Sequence, residues 1–431
     1  MSEPFSEVAS IDYPIIDADA HVNEPPELWQ ERVATRLRAR APKVLHTPEG
    51  DVWSFDDGKK LRPLGLTATA GLSYLQFRAS GMRYDAIRPG SFDTGARLRD
   101  LDADGLYAQL LYPSVTLAGA RTYTDDRELQ CACVRAYNEW LLEFCKPSGG
   151  RLIPQAIIPT TGIDDAVGEL EWAMAHGHRG ALIAAFPNGS YETTAEDDRF
   201  WAIAAEAELQ WATAHGHRGA LIAAFPNGSY ETSAEDDRFW AIADEAEFPL
   251  GIHIGSFSET GLQATIAQST LSFLAHAGGS KAGADSIPAA TKVLFSLACE
   301  RFPRLRFVIV EGNIGWIPTS MEQIDDMFLR YRWYTGASDM MTTMPSRLFH
   351  RNFWATFMID TIGIELRHHM NVDHLMWSTD YPHTGTDWPN NRVTIARLFR
   401  GVPKDEVKKM LLDNCRALYH LDHIPDRLPD R

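Results

Sequence analysis

The chain has 431 residues, 45% of them apolar, enough for one large barrel or two ordinary domains. Its net charge of −17 argues against a general affinity for nucleic acid or an anionic membrane, and suits a soluble enzyme with a small-molecule substrate. No run of about 18 apolar residues is present, so no transmembrane helix is expected. The stretch MSEPFSEVAS lacks the apolar centre of a signal peptide. Five cysteines, an odd number, suggest free thiols in a reducing cytoplasm.

In IIDADAHVNEP, residues 15–25, an apolar strand start runs into Asp17, Asp19 and His21. Residues two apart on a strand share a face, so these three side chains are expected to point the same way. A buried strand ending in such a row needs a use for it, and a carboxylate two residues from an imidazole is half of a metal site. Residues 26–100 are too long and polar for an ordinary βα loop. Within them KVLHTPEGDVWSFDDGKKLRP reads as short strands joined by the turns PEG and DDGK, so we expect a cap or lid over the strand ends. LYAQLLY (106–112) is the next strand, followed by a helix around 125–145 with Cys131 and Cys133 as packing residues. RLIPQAIIP (151–159) is another strand, and a helix over 164–176 leads through HGHRG into the strand ALIAAF (181–186).

Residues 169–207 then recur as 208–246, with 35 of 39 positions identical. This is a tandem duplication and not a solenoid, which needs at least about three repeats to bury a core. Each copy holds one strand (181–186, then 220–225) and a following helix, the first of which continues over about 196–215. The pattern resumes with FPLGIHIG (248–255), ending in His253, and LRFVIVEG (305–312), ending in Glu311. A helix over about 319–332, the strand FWATFMID (353–360) and the strand HLMWSTDYPH (374–383), ending in Asp380, precede a closing helix. Counting one copy, eight strands alternate mostly with helices, which argues for an α/β fold and a (β/α)8 TIM barrel. Active sites of such barrels lie at the C-terminal ends of strands, where Asp19, His21, His253, Glu311 and Asp380 all fall.

With these residues laid out, the chain resembles the amidohydrolase superfamily, and within it the metal-dependent hydrolases and non-oxidative aromatic-acid decarboxylases. The resemblance rests on DADAHVNEP, GIHIG, FPRLRFVIVEGNIGWIP, HLMWSTDYPH and LLDNCRALYHL, and it spans nearly all of 1–431 as one barrel domain. It implies a strand-one metal pair at Asp19 and His21, a strand-five ligand at His253 and a strand-eight ligand at Asp380. Two positions depart from the family: Asp19 stands where His or Glu is common, and Glu311 where many members place a histidine.

The donor set agrees with that assignment. Two imidazoles and two carboxylates suit one divalent transition metal (Zn, Mn or Fe), which acidifies a bound water and polarises a carbonyl or carboxylate oxygen. Catalytic roles then fall to Asp380, Glu311 and His253: Asp380 takes a proton from the water, and Glu311 serves as a second base or helps hold a second metal. Gly251 and Gly255 flank His253 on its own face and leave room for a ligand. Asp17 is expected to hydrogen-bond backbone. Both HGHRG tracts, 176–180 and 215–219, read as helix ends, and His368 and His369 as surface residues. His383, His276, Trp316, Arg121 and Tyr123 are candidates for lining the substrate pocket.

For the duplication we expect an eight-stranded ring with one copy outside it, at a contact in a homodimer or higher homo-oligomer. Nine strands would widen the ring and push His253 and Glu311 away from Asp19 and His21. The first functional reading is a hydrolase in which metal-activated water attacks an amide, ester or thioester. The alternative is a decarboxylase of a hydroxylated aromatic acid with Glu311 as proton shuttle. An impaired barrel that only binds is the third, and the complete ligand set speaks against it.

Overall fold

A computed structural model of the chain describes residues 11–78, 80–116, 119–178, 181–183, 220–222, 237–245, 247, 249–254 and 270–428. The expected strand at the start is β1 (Ile16–Val22), buried along its whole length. After it, β2 (Lys43–Thr47), β3 (Gly50–Phe55) and β4 (Lys60–Pro63) form a small antiparallel sheet. Its second turn places Asp56, Asp57 and Gly58 at φ of 46°, 58° and 87°, the left-handed backbone that a tight hairpin requires. Trp53 and Phe55 lie buried on β3, so this sheet has an apolar anchor of its own.

The remaining strands are β5 (Ala108–Pro113), β6 (Leu152–Pro154), β7 (Ala156–Ile157), β8 (Ala181–Ile183), β9 (Ala220–Ile222), β10 (Pro249–His253), β11 (Arg306–Val310), β12 (Phe353–Phe357) and β13 (Leu375–Trp377). All pair in parallel, in one sheet ordered β1-β5-β6 and another running from β7 through to β13 in sequence. Only Gln155 separates β6 from β7, and its N–H donates to Leu111 O at 3.2 Å. At the other end, Asp380 N donates to Asp19 O (2.9 Å) and His21 N to Tyr381 O (2.6 Å), which ties the segment after β13 to β1. The result is a distorted, barrel-like α/β fold. Helices join most of the parallel strands, as in Arg127–Cys145, whose N-terminus is capped by Asp126 accepting from Leu129 N at 3.0 Å. Leu129, Cys133, Tyr137 and Leu141 recur at the i, i+4 spacing on its buried face. All five cysteines are free, and among the described residues no helix is long and apolar enough to cross a membrane.

The expectation of one repeat copy outside an eight-stranded ring is not met. Both copies enter the sheet, with Ala181, Leu182 and Ile183 of β8 beside Ala220, Leu221 and Ile222 of β9. Counting β6 and β7 as one strand interrupted at Gln155, nine strand positions follow one another. Pairing on both edges satisfies the backbone groups that an extruded ALIAAF strand would leave open. The expected damage to the site does not follow, and the strand order gives the reason. His253, Glu311, Asp380 and the Asp19–His21 pair lie along the arc β10-β11-β12-β13-β1, whereas the extra strand enters between β7 and β10. The helix expected over 196–215 lies outside the described residues, as does most of each repeat.

Candidate metal centre

The three ionisable residues of β1 do not share one face as simple alternation predicts. Asp17 pairs with Gln109 but Ala20 with Leu111, so β1 carries one extra residue between them. Such a bulge re-aims side chains. Asp17 is committed to the frame: Oδ1 accepts from Asp19 N (3.2 Å) and Thr379 N (2.9 Å), and Oδ2 from Gln109 Nε2 (2.8 Å) and the Thr379 hydroxyl. Burial pushes its carboxyl up to about 6. The fully buried Arg97 completes this frame, donating to His21 O (2.6 Å), Gly90 O (3.0 Å) and Gln109 Oε1 (2.7 Å).

Asp19 and His21 meet the other candidates instead. His21 Nε2 stands 3.5 Å from Asp19 Oδ1 and 3.4 Å from Asp380 Oδ1. His21 Nδ1 donates to Pro113 O at 3.1 Å, and His253 Nδ1 to Ile254 O at 3.2 Å. Those bonds select the tautomer whose Nε2 carries a free lone pair, the form that ligates metals. The two rings lie 5.7 Å apart, edge to face, and His253 Nε2 is 3.4 Å from Glu311 Oε2. Asp380 is divided in a similar way. Its Oδ2 accepts from Gly385 N at 3.2 Å, a close approach that a Cβ at Gly385 would block, while Oδ1 faces His21 and His383. Glu311 and Asp380 both adopt positive φ, 61° and 58°. Such backbone costs on the order of 1–3 kcal/mol per residue and clusters at functional sites. Thr356 Oγ1 helps hold the first of them by accepting from Glu311 N at 2.8 Å.

Asp19 Oδ1 and Oδ2, His21 Nε2, His253 Nε2 and Asp380 Oδ1 are all buried without a hydrogen-bond partner. Each such atom costs about 1–3 kcal/mol if left so. A cation relieves this deficit, and the donors are the mixture of imidazole and carboxylate that divalent transition metals take. One ligand atom each from Asp19, His21, His253 and Glu311 lie within 4.8 Å of one another, as do those from His21, Asp380 and His383. The residues therefore fit a single divalent transition-metal ion.

The electrostatics point the same way. Burial lifts the Asp19 carboxyl well above its ordinary value, with Glu311 and Asp380 adding repulsion. Burial also lowers the imidazoles of His21 and His253, keeping them neutral as ligands must be. For Asp380 burial opposes ionisation, but the nearby imidazoles of His383 and His21, together with Lys281, outweigh it and hold the carboxyl below its usual range. The group is short of positive charge, which a bound cation supplies.

Two of the residues here carry no sequence motif. Ser114, just past β5, has Oγ 2.9 Å from His383 Nε2, and His383 Nδ1 is 3.0 Å from Asp380 Oδ1. His383 also stacks on His21 at 3.9 Å. Lys281 places Nζ 2.5 Å from Glu311 Oε1. Ser114 had a readable signal, its place at a strand's C-terminal end; Lys281 had none.

The other candidates fall elsewhere. Trp316 donates from Nε1 to Gly312 O (3.0 Å) and Asn313 O (3.1 Å) and belongs to neither ligand group. Arg121 lies 3.5 Å from Asp125. Tyr123 is buried edge to face against Trp29. His276 falls within the helix Thr270–Lys281, and its side chain is outside the described residues. In the first HGHRG tract, Gly177 has φ of 104° and the buried His178 has Nε2 3.0 Å from Asn138 O; the second tract is not described. His368 and His369 are exposed.

The profile of the amidohydrolase family ("Amidohydrolase") matches residues 204–421, half of the chain. No curated protein matches it. Among solved structures, the chain is similar to an amidohydrolase from Mycobacterium avium subsp. paratuberculosis, with 17% identity, 95% of this chain and 100% of that one covered, and a TM-score of 0.65. It is similar to 5-carboxyvanillate decarboxylase from Novosphingobium aromaticivorans complexed with manganese and 4-hydroxy-3-methoxy-5-nitrobenzoic acid (13% identity, 97% and 99% covered, TM-score 0.56). A third is 2,6-dihydroxybenzoate decarboxylase from Rhizobium (17% identity, 95% and 99% covered, TM-score 0.53). Half of the sequence fits the family profile and the buried donors converge as a metal site requires, so the chain belongs to the amidohydrolase family as a metal-dependent enzyme.

Proposed function

We propose that this enzyme is a non-oxidative decarboxylase of a hydroxylated aromatic acid. The observation that carries the reading is the placement of Glu311. One of its oxygens lies 3.4 Å from His253 Nε2, inside the ligand group, which supports a role for this carboxyl group in exchanging protons with an acid held at the metal site. Fold likeness to decarboxylases of 2,6-dihydroxybenzoate and 5-carboxyvanillate supports the choice of substrate class.

In this reading Asp19, His21, His253 and Asp380 hold the metal. When bound, the ion supplies a Lewis-acid contact that orients the substrate's acid and neighbouring hydroxyl oxygens. Glu311 takes the hydroxyl proton and passes it to the ring carbon that bears the carboxylate. As that C–H bond forms, the bond to the carboxylate breaks, its electron pair restores the ring, and carbon dioxide leaves. The phenolate then regains a proton from solvent.

Residues 26–100 act as the lid that selects the substrate, within a single barrel domain. Contacts from this segment to the strand ends support that role: Asn23 Nδ2 to Thr67 O (2.8 Å), Arg62 Nη1 to Val115 O (3.1 Å) and Thr69 N to Pro382 O (2.9 Å). A homodimer or higher homo-oligomer belongs to the same reading; Tyr331, Trp333 and Tyr334, exposed on one helix, support it.

The test is carbon dioxide release by manganese-loaded protein from 2,6-dihydroxybenzoate and 5-carboxyvanillate. We expect release from at least one of them, with kcat lowered about 10²–10⁴-fold in Glu311→Gln. No release from either acid, together with cleavage of an ester or amide, overturns the proposal in favour of the hydrolase. That second reading draws on Asp380, held ionised beside His383 and Ser114, as a base for water. The impaired barrel finds no support, since ligand atoms of Asp19, His21, His253 and Glu311 stay within 4.8 Å of each other despite the duplication, as do those of His21, Asp380 and His383.

A further inference from the structure

Lys281 ends the helix Thr270–Lys281, and its carbonyl accepts from Asn313 Nδ2 at 3.3 Å, which fixes that end beside the turn after β11. Its Nζ meets Glu311 Oε1 at 2.5 Å while the other Glu311 oxygen faces His253. The ammonium therefore stands one carboxylate's width from the metal ligands. Asp19 and Asp380 both feel its charge.

Three other cations near the strand ends, among the described residues, are already committed. Arg97 is fully buried on three acceptors, Arg88 grips Asp100 through two bonds of 2.6 Å, and Arg62 donates to Val115 O. The Lys281 side chain keeps 35% of its surface open, and its ammonium faces Glu311, inside the ligand group. Charge balance then gives it a task. Asp19, Glu311 and Asp380 bring three negative charges, of which a divalent ion cancels two. An incoming carboxylate meets repulsion unless one more cation is within reach.

We propose that Lys281 is the residue that recognises the substrate's carboxylate. Its ammonium transfers from Glu311 Oε1 to the incoming acid, a charge-assisted contact of the same kind. The exchange frees Glu311 from its ion pair as the substrate arrives, which couples recognition of the acid to release of the proton shuttle. The substrate class rests on the decarboxylase reading; the carboxylate contact itself applies to any acid bound at this centre.

The experiment loads the protein with cobalt(II) and follows its visible absorption during titration with 2,6-dihydroxybenzoate and, separately, with resorcinol, which lacks the carboxylate. In Lys281→Met the half-saturating concentration of 2,6-dihydroxybenzoate is expected to rise about 10- to 100-fold, with that for resorcinol unchanged. Lys281→Arg, which keeps the charge and the donors, is expected to stay close to the native protein. Lys281→Gln provides the same comparison if the methionine variant does not accumulate. Equal half-saturation in native and Lys281→Met protein overturns the proposal. So does an equal loss for both ligands, or a native protein that gives no response to the acid. Lysine-dependent binding of the acid without carbon dioxide release keeps Lys281 in this role and removes the decarboxylase reading alone.

Discussion

Glu24, three residues past His21, shows how tightly the end of β1 is packed. It is fully buried, accepting from Val115 N at 3.2 Å and the Thr116 hydroxyl at 2.9 Å, and burial pushes its carboxyl up to about 7. The folded protein thus binds a proton between pH ~4.5 and ~7 that the unfolded chain has lost, so Glu24 makes stability fall as pH rises through that window. Glu24→Gln removes this slope. Relative to the native protein it is expected to gain roughly 1–3 kcal/mol between pH 5 and pH 8, read from urea unfolding at the two pH values. Gly385 offers a second test. Its N–H and its lack of a Cβ let Asp380 Oδ2 approach, so Gly385→Ala displaces that carboxylate. Metal affinity is expected to fall about 10- to 100-fold, measured by competition with a chelating dye.

At this scale the readable residues were those in contiguous strand-end motifs. DADAH, GIH, VEG and DYPH each announce themselves by an ionisable group closing an apolar run, and the structure gathers Asp19, His21, His253, Glu311, Asp380 and His383. Lys281 closes a helix with no such contrast, and its meeting with Glu311 depends on a contact 30 residues away in sequence. The bulge in β1 was hidden for a related reason: nothing in IDADAHV states where the pairing with β5 slips.

Among the elements, the alternation of strands and helices was legible and their ends were not. β13 stops at Trp377, three residues before Asp380, which itself takes up positive φ in the segment that follows. The duplication was legible as a fact but not as a structure, since two near-identical copies leave no local preference for which one pairs. One of their few differences matters. Asp244 accepts from both Arg304 N and Arg304 Nε, and its counterpart in the first copy is Ala205. Deleting 169–207 retains Asp244; deleting 208–246 puts Ala205 in its place. Both shortened proteins are expected to keep the metal centre, because its ligands lie on the other arc. The second is expected to be less stable by about 1–3 kcal/mol, from losing hydrogen bonds to a charged group. Equilibrium unfolding of the pair checks this, and loss of metal binding in both would show that the extra strand supports the site.

For the molecule as a whole, the orphaned donors mean that the fold is incomplete without its ion. Five buried polar atoms lacking partners in one place are a local deficit that metal binding repairs. Metal at about 100 times its Kd is expected to stabilise the protein by ~2.7 kcal/mol, seen as a raised thermal midpoint that a chelator reverses. The most direct measurement is the metal content of the purified protein and of Asp380→Asn, side by side, by elemental mass spectrometry. One divalent transition metal per chain in the native protein, lost or much reduced in the variant, is the predicted result. A native protein that holds no metal even after supplementation, or a variant that holds as much as the native protein, contradicts the account.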